Sequence, residues 1–547
     1  MPDRRKIGFI EAFSIGVGGM IGGGIFAVLG LSLQLAGTAA PVAFLLAGLV
    51  ALATSYSYAK LSIRYPSEGG TIEYIVRAFG RGILAGGLNI MLLTSYIVMI
   101  ALYAYAFGSY AASLFGEAVL LRHVFIALAI AIFTFLNALG AVVTGRVEDA
   151  LVFFKLAILV VVAGAGLGFV EWGRFSPSQW PSLVNIVAGG MIIFLAYEGF
   201  ELIANAAADV EDPRVLPRAF FAAVLVVTAI YVMVALVAAG TLSPEEVMRA
   251  RDYALAEAAK PALGELGFGI VVAAALASTS SAINATLYGT ARISYMVAKY
   301  GQLPASVGRR IWRQAPEGLA IISLLSLVLA EAASLEAIST AGSAGFLLIF
   351  TAVNVAALRL RREARVNPLV AGAGALATVM ALALLIYRTA TLDPRQVTVF
   401  ILLLAGSFTV EYVYRVLTGR EIAEYIDYKL HLREENIRNW ATWVPRIVAV
   451  IVRRFHDAKV YLVGSVARGE LHRAHDVDVL VVTSRTPRTR REAEEEARRI
   501  REEAGLTPQH PLHIHFARPG EEKRWLEHSR RWHYLYTSKE DKGTPSQ

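Results

Sequence analysis

The sequence has no cysteine among its 547 residues, which excludes disulfides and metal sites built on thiolates. It is also short of charge: 18% of residues are Asp, Glu, Lys or Arg, against 56% hydrophobic. Histidine is nearly confined to the end of the chain, with nine of ten beyond residue 417. That balance excludes an ordinary soluble protein of this size, because one core cannot bury so much apolar side chain. No cleavable leader is expected, since Met1 to Lys6 leads into a glycine-rich apolar stretch without a small-residue cleavage site.

What the chain has instead is a series of long apolar runs. "PVAFLLAGLVALATSYSYA" from Pro41, "FIALAIAIFTFLNALGAVV" from Phe125, "LAIISLLSLVLAEAA" from Leu319 and "VTVFILLLAGSFTV" from Val397 approach the roughly 20 residues a helix needs to cross about 30 Å of hydrocarbon. About twelve such segments precede Leu417, which predicts an all-α polytopic protein of the cell (inner) membrane, in contact with the lipid bilayer. With the N-terminus inside, the cytoplasmic segments up to Arg365 carry about 18 Lys/Arg against about 7 in the external ones. The runs "RLRREAR" (Arg359 to Arg365) and "GRRIWR" (Gly308 to Arg313) weigh most in that bias. Both termini are therefore expected in the cytoplasm, and Trp172 and Trp180 fall where an outer aromatic belt would lie. The same bias explains much of the net charge of +8, so no nucleic-acid partner is expected.

Composition changes abruptly after Leu417. Residues 418 to 547 hold 24 of the 52 Lys/Arg and 20 of the 44 Asp/Glu, so the tail reads as a water-soluble unit. "AKVYLVGS", "VDVLVVT" and "PLHIHFA" read as strands, and "RTRREAEEEARRIREEAG" as an exposed helix whose charges are a solvated face. The division expected is a membrane domain over 1–417, a helical linker over 418–458 and a small α/β domain over 459–547.

Two features inside the membrane part call for a reason. "GVGGMIGGGIF" (Gly16 to Phe26) is poor helix, since each glycine costs about 1 kcal/mol relative to alanine. Either the span is broken at the midplane, presenting free N–H groups to an anionic ligand, or its glycines serve close helix packing. In "MIIFLAYEGFELIANAAADVEDPRVLP", Glu198 and Glu201 flank Gly199 within an apolar span, and carboxyls at that depth are functional candidates unless they simply hydrogen-bond a neighbouring helix. Interruptions in the first and sixth spans are what a five-plus-five inverted repeat produces, with a site between them.

The first-span string, "RYPSEGGTIEYIVRAFG" (Arg64 to Gly80), "FLAYEGFE" (Phe194 to Glu201), "EDPRVLPRA" (Glu211 to Ala219) and "YMVAKYGQLP" (Tyr295 to Pro304) stand in order over residues 7 to 417. Together they resemble the amino acid, polyamine and organocation transporter superfamily. The resemblance implies a secondary transporter of amino acids or related amines, needing no cofactor for transport. In it, N–H groups of Gly22, Gly23 and Gly24 would hold a substrate carboxylate, and carbonyls near Met20, Leu195, Tyr197 and Glu198 its ammonium. Tyr96, Phe200, Ser281, Asn284 and Phe346 would stand near the substrate side chain, although each suits ordinary packing equally. Lys155, in "EDALVFFKLAILVVV", matches a fifth-span lysine that in some members replaces sodium, although a lysine at this depth can also snorkel to the surface. With Glu201 it implies coupling to protons, and exchange of amino acids is the close alternative.

In the tail, "GSVARGELHRAHDVDVLVV" (Gly464 to Val482) resembles the minimal nucleotidyltransferase signature. Asp476 and Asp478, on one strand face, would bind magnesium carrying a nucleotide triphosphate, and Gly464 and Ser465 would approach its phosphates. The family's third carboxylate is expected on the later strand, where this chain has His513 and His515. Transferase activity and nucleotide-dependent regulation both remain open on that departure, as does a transporter-like sensor with the tail as output. Three histidines within Gln509 to His515, without cysteine and alternating on a strand, are a poor zinc signature.

Overall fold

The computed structural model describes residues 7–67, 69–116, 118–139, 145–299, 302, 310–312, 315–417, 436–437, 439–469, 476–487, 489–506, 510–529 and 532–536. The chain forms two compact units, Met1–Glu421 and Ile422–Gln547. The first is built of helices: α1 (Phe9–Met20), α2 (Gly24–Ala36), α3 (Ala40–Arg64), α4 (Thr71–Phe79), α5 (Ile83–Ser113), α6 (Val119–Ala138), α7 (Gly145–Gly166), α8 (Leu183–Ile192), α9 (Leu202–Ala206) and α10 (Val215–Thr241). They continue as α11 (Ala254–Lys299), α12 (Glu317–Ala332), α13 (Leu335–Arg359), α14 (Pro368–Leu392) and α15 (Pro394–Leu417).

Among the described residues, nine segments are long and apolar enough to cross a membrane, and ten if the bent pair Leu183–Ile192 and Phe194–Asp209 is one span. One of the nine, Gly24–Arg64, has 41 residues, a length of about 60 Å if it were a single straight helix. It is interrupted at Gly37, whose φ is 53°, and therefore supplies two passages. Adding the shorter apolar α12 gives the twelve expected from the sequence.

Burial separates an inner set of helices from an outer one. The most apolar windows of α5 and α13 are 78% buried, whereas those of α6 and α15 are 17% and 22% buried, and outer positions such as Leu120, Leu369 and Leu402 are exposed because lipid solvates them. Several polar side chains inside the bundle are tied down. Asn354 on α13 accepts from Ser57 (2.6 Å) and donates to Thr54 (3.1 Å), both on α3. Thr228, Ser95 and Ser55 return their hydroxyls to the carbonyl four residues back. Hydroxyls satisfied in this way can sit in apolar surroundings.

The second unit is a four-stranded sheet, β1 (Lys459–Val463), β2 (Val477–Val482), β3 (Leu512–Ala517) and β4 (His533–Tyr536), in the order β3-β2-β1-β4. β1 runs antiparallel to β2 and β4, and β2 parallel to β3. Around it lie α16 (Trp440–Arg454), α17 (Gly464–Ala467), α18 (Arg490–Glu503) and α19 (Glu522–Ser529). Residues 418–435 and 438 of the expected linker lie outside the described residues. Its later part, α16, places Trp443, Val444, Ile447, Val450 and Ile451 in one core with Val460, Leu462, Val477, Val479 and Val481. The compact unit thus starts before residue 459, because the apolar positions of α16 recur at helical spacing among polar ones.

Asp457, just before β1, fastens the end of β2. It accepts from Thr483 Oγ1 (2.7 Å), Ser484 N (2.7 Å) and Ser484 Oγ (2.5 Å). Burial works against the charge, but bonds from Ser484 and Thr483 prevail and hold its carboxyl at about 2, below the usual 3.8. A carboxyl depressed in the folded state contributes stability that is complete above 3.8 and is lost as the pH falls toward about 2. Asp457→Asn is expected to speed amide exchange at Val460 and Leu462 several-fold at pH 7 and to blunt the acid sensitivity between pH 4 and 2. Equal protection in the variant would assign these bonds no role.

Candidate functional site

The glycine-rich first span is broken. α1 ends at Met20, Ile21 leaves helical geometry (φ −84°, ψ 52°), and α2 restarts at Gly24. The sixth span breaks as well: α8 stops at Ile192, Phe194–Tyr197 is a turn of 3-10 helix, Glu198 is extended and Gly199 has φ 127°. The two breaks interlock, backbone against backbone. A methyl group on Gly19 would come within 2.8 Å of the Gly199 Cα, and one on Gly24 within 2.9 Å of the Ala196 Cα. One on Gly199 would collide with Gly19 and Met20. Both alternatives left open by the sequence are therefore realised: the span is discontinuous, and its glycines also serve close approach.

Unwound backbone inside a membrane needs partners, and neighbouring helices supply them. Tyr231 on α10 donates to the carbonyls of Met20 (2.7 Å) and Ala196 (3.1 Å), one from each break. Ser278 on α11 donates to the Gly22 carbonyl at 2.7 Å. Ser343 on α13 accepts from the Leu195 N–H (3.1 Å) and donates to the Ile192 carbonyl (2.9 Å). Tyr197 turns its hydroxyl away, to the Phe44 carbonyl at 2.7 Å. Glu201 accepts from the Gly199 N–H (2.7 Å) and from the Tyr96 hydroxyl (3.1 Å), so it caps the second break and ties it to α5. Glu198 is 5% exposed and neighbours Glu201.

Among the described residues of the two breaks, the start of α2 has no side-chain cap. α2 begins after Gly23, which offers no side chain to cap it, so the first N–H groups of its buried first turn have no acceptor within the helix. Tyr103 lies over this end: a methyl group on Gly23 would come to 2.5 Å of its ring. Lys155 is 1% exposed on α7. One turn before it, Val152 is the side chain a methyl on Gly18 would touch, at 2.8 Å. As first and fifth crossings α1 and α7 run the same way, and residues three apart share a helix face, so Lys155 stands level with the break at Ile21 to Gly23.

In the tail, Gly464 (φ 78°) lies so close to Asp478 that a side chain there would strike the carboxylate Oδ2. Its N–H donates to Ser529 Oγ at 3.0 Å. Ser465 follows it in the first turn of α17. Asp478 is registered against Val463 on one side and His513 on the other. Asp478, His513 and His515 form a cluster of ligand-bearing groups, while Asp476, just before β2, stands outside it. Magnesium favours octahedral oxygen ligands, so a carboxylate whose near neighbours are two imidazoles fits that expected ion poorly. Beside α17 lies an open cavity of about 640 Å³ lined by Trp440, Val466, Ala467, Arg468, Gly469, Trp532 and His533.

The sequence profile described as amino acid permease matches residues 7–408. The chain belongs to the amino acid permease family. A nucleotidyltransferase domain is matched over residues 444–534 of the same chain. Over 363 residues this permease is 38% identical to the inner membrane transport protein YbaT of Escherichia coli, covering 66% of this chain and 84% of that one. An uncharacterised protein of Methanocaldococcus jannaschii is 39% identical over 350 residues, covering 63% and 80% of the two chains. The serine/threonine exchanger SteT of Bacillus subtilis is 28% identical over 308 residues, covering 55% and 70%. The permease is thus a multi-pass membrane transporter of the amino acid type with a nucleotidyltransferase domain at its C-terminal end.

Of the side chains read as lining the substrate, Tyr96 packs edge-on to Phe346 at 5.5 Å and Phe200 is buried between Tyr58 and Phe350. Asn284 accepts from Asn137 at 2.8 Å, and Ser281 is half-buried. Sequence reasoning missed Tyr231, Ser278, Ser343 and Tyr103, although a tyrosine within "AIYVMVALV" signals a hydroxyl that must find a partner inside the membrane. Tyr231→Phe strips a donor from two buried carbonyls, a loss of about 1–3 kcal/mol. The purified variant is expected to melt several degrees below the wild type, and an unchanged Tm would show that the brace contributes nothing.

Proposed function

We propose that this permease is a proton-coupled, sodium-independent carrier of an amino acid or a related amine, with both termini on the cytoplasmic side of the cell membrane. The observation that carries the reading is the uncapped, buried start of α2 beside the second break. A helix N-terminus favours an anionic group, so the N–H groups of Gly22, Gly23 and Gly24 take the substrate carboxylate. Carbonyls at Met20, Leu195, Tyr197 and Glu198 take its ammonium. Met20 already accepts from Tyr231, and a carbonyl has a second lone pair to offer. Tyr103 forms a wall over the carboxylate end. Lys155, buried and level with the break, supplies a positive charge where a coupling cation would otherwise bind, and it gives up and regains its proton during the cycle. Glu201 holds the second break to α5, so its part in coupling is to transmit the change at the break.

Exchange is the second reading, favoured by the relative that is itself named a serine/threonine exchanger. Uptake into proteoliposomes separates the two, since exchange needs internal substrate and proton symport needs only a pH gradient. Uptake is expected without sodium, to be abolished by Gly23→Leu with expression retained, and to lose its pH dependence in Lys155→Ala. A sodium requirement, or an unaltered pH profile in Lys155→Ala, would remove the coupling assignment.

The tail is read as a nucleotide-binding regulator. Gly464 and Ser465, at the start of α17 and against Asp478, would approach triphosphate oxygens, with a divalent ion at Asp476 and Asp478. Binding alters transport only if the nucleotide favours one conformation of the carrier. Calorimetry on the full-length protein should show triphosphate binding that needs a divalent metal and weakens at least tenfold in Asp476→Asn/Asp478→Asn. Absence of binding by every common triphosphate would leave the domain as a protein-interaction module.

A further inference from the structure

Asp478 on β2 and His513 and His515 on β3 bring three ligand atoms within 4.8 Å of one another. His515 Nε2 is 3.1 Å and His513 Nδ1 3.5 Å from the same oxygen, Asp478 Oδ1. Donors held at about 2.0–2.1 Å around a tetrahedral zinc lie roughly 3.3 Å from one another, so these separations already match a shared ion. We propose that Asp478, His513 and His515 form a binding site for a zinc-class divalent transition-metal ion, with a fourth position open to water or a phosphate oxygen.

The architecture builds this arrangement in three ways. The parallel register sets Asp478 directly across from His513, with Leu480 across from His515, and alternation along β3 places both imidazoles on one face. Room for the carboxylate is left behind it, because its Oδ2 lies against Gly464, a residue in the left-handed region with no side chain to push it away. Trp525 on α19 packs on the His515 ring at 4.9 Å between centroids, which holds the imidazole in place. A simple ion pair would use one imidazole; two converging on one oxygen is the arrangement a common cation organises.

The chemistry of the donors selects the ion. Imidazole nitrogen suits zinc, nickel, copper and iron, whereas magnesium takes oxygen. Two imidazoles and one carboxylate leave a tetrahedral ion one open position, the pattern of zinc sites that bind an exchangeable ligand. The alternating histidines looked like a poor zinc signature because the third donor lies on a different strand, 37 residues before His515.

The inference goes beyond the nucleotide reading and is tested without nucleotide. Full-length protein carrying a tag free of histidine is stripped with chelator, equilibrated with micromolar zinc in millimolar magnesium, and its bound zinc counted by elemental analysis. Because the chain has ten histidines, the readout is a difference: the wild type is expected to hold one zinc more per chain than H513A/H515A. Cobalt should give a tetrahedral visible spectrum that is lost in His513→Ala alone, a substitution at a side chain 61% exposed that leaves the core untouched. His515→Gln, which keeps packing against Trp525, should weaken zinc at least tenfold. Equal zinc in wild type and H513A/H515A, or displacement of zinc by equimolar magnesium, would overturn the site. Zinc binding with no triphosphate binding supports the site and removes the nucleotide reading; magnesium-supported triphosphate binding with no zinc difference does the reverse.

Discussion

The membrane unit depends on one constraint: backbone that leaves the helix inside a bilayer must find its hydrogen bonds within the protein. Two spans break, and each break is stabilised by the other and by side chains from α5, α10, α11 and α13. Tyr231 is central because one hydroxyl serves a carbonyl from each break. Ser278 serves the first break and Ser343 the second. The result is a pair of unwound segments whose carbonyls are partly satisfied, with the start of α2 buried and without a side-chain cap. The start of α2 thus keeps backbone donors that no side chain of the breaks takes up.

The same constraint explains the fate of the acidic pair. A carboxylate near the midplane of a bilayer is costly, and Glu201 meets the cost by capping Gly199 and holding Tyr96. Around these groups the aromatic residues Tyr58, Phe200, Phe346 and Phe350 pack mutually at centroid separations of 5.1 to 5.9 Å. This cluster packs ring against ring behind the second break, next to the Tyr96 hydroxyl that Glu201 holds.

The extent to which this could be read from sequence follows from the range of each interaction. Apolar runs and glycine density are local, so the spans, the first break and the strand–turn–strand of the tail were visible without coordinates. Tyr231 meets Met20 across 211 residues and Ser278 meets Gly22 across 256, and no local pattern marks such pairs. The helix α16 read as part of a linker because the strands that cover its apolar face, Trp443, Val444, Ile447, Val450 and Ile451, come only later in the chain. In the tail, spacing along the chain placed Asp476 with Asp478, whereas strand order grouped Asp478 with two histidines instead.

The backbone contact between Gly19 and Gly199 has a consequence for how a protein of this kind diversifies. Where two side chains meet, enlargement of one can be answered by shrinkage of the other. Where two main chains meet, neither residue has anything left to give up. Both positions are therefore closed to compensated change, and the contact between the two breaks is set by main chain alone. Change must then come from the surrounding side chains, which leaves the crossing point of the two main chains as the part that drift in sequence cannot reshape.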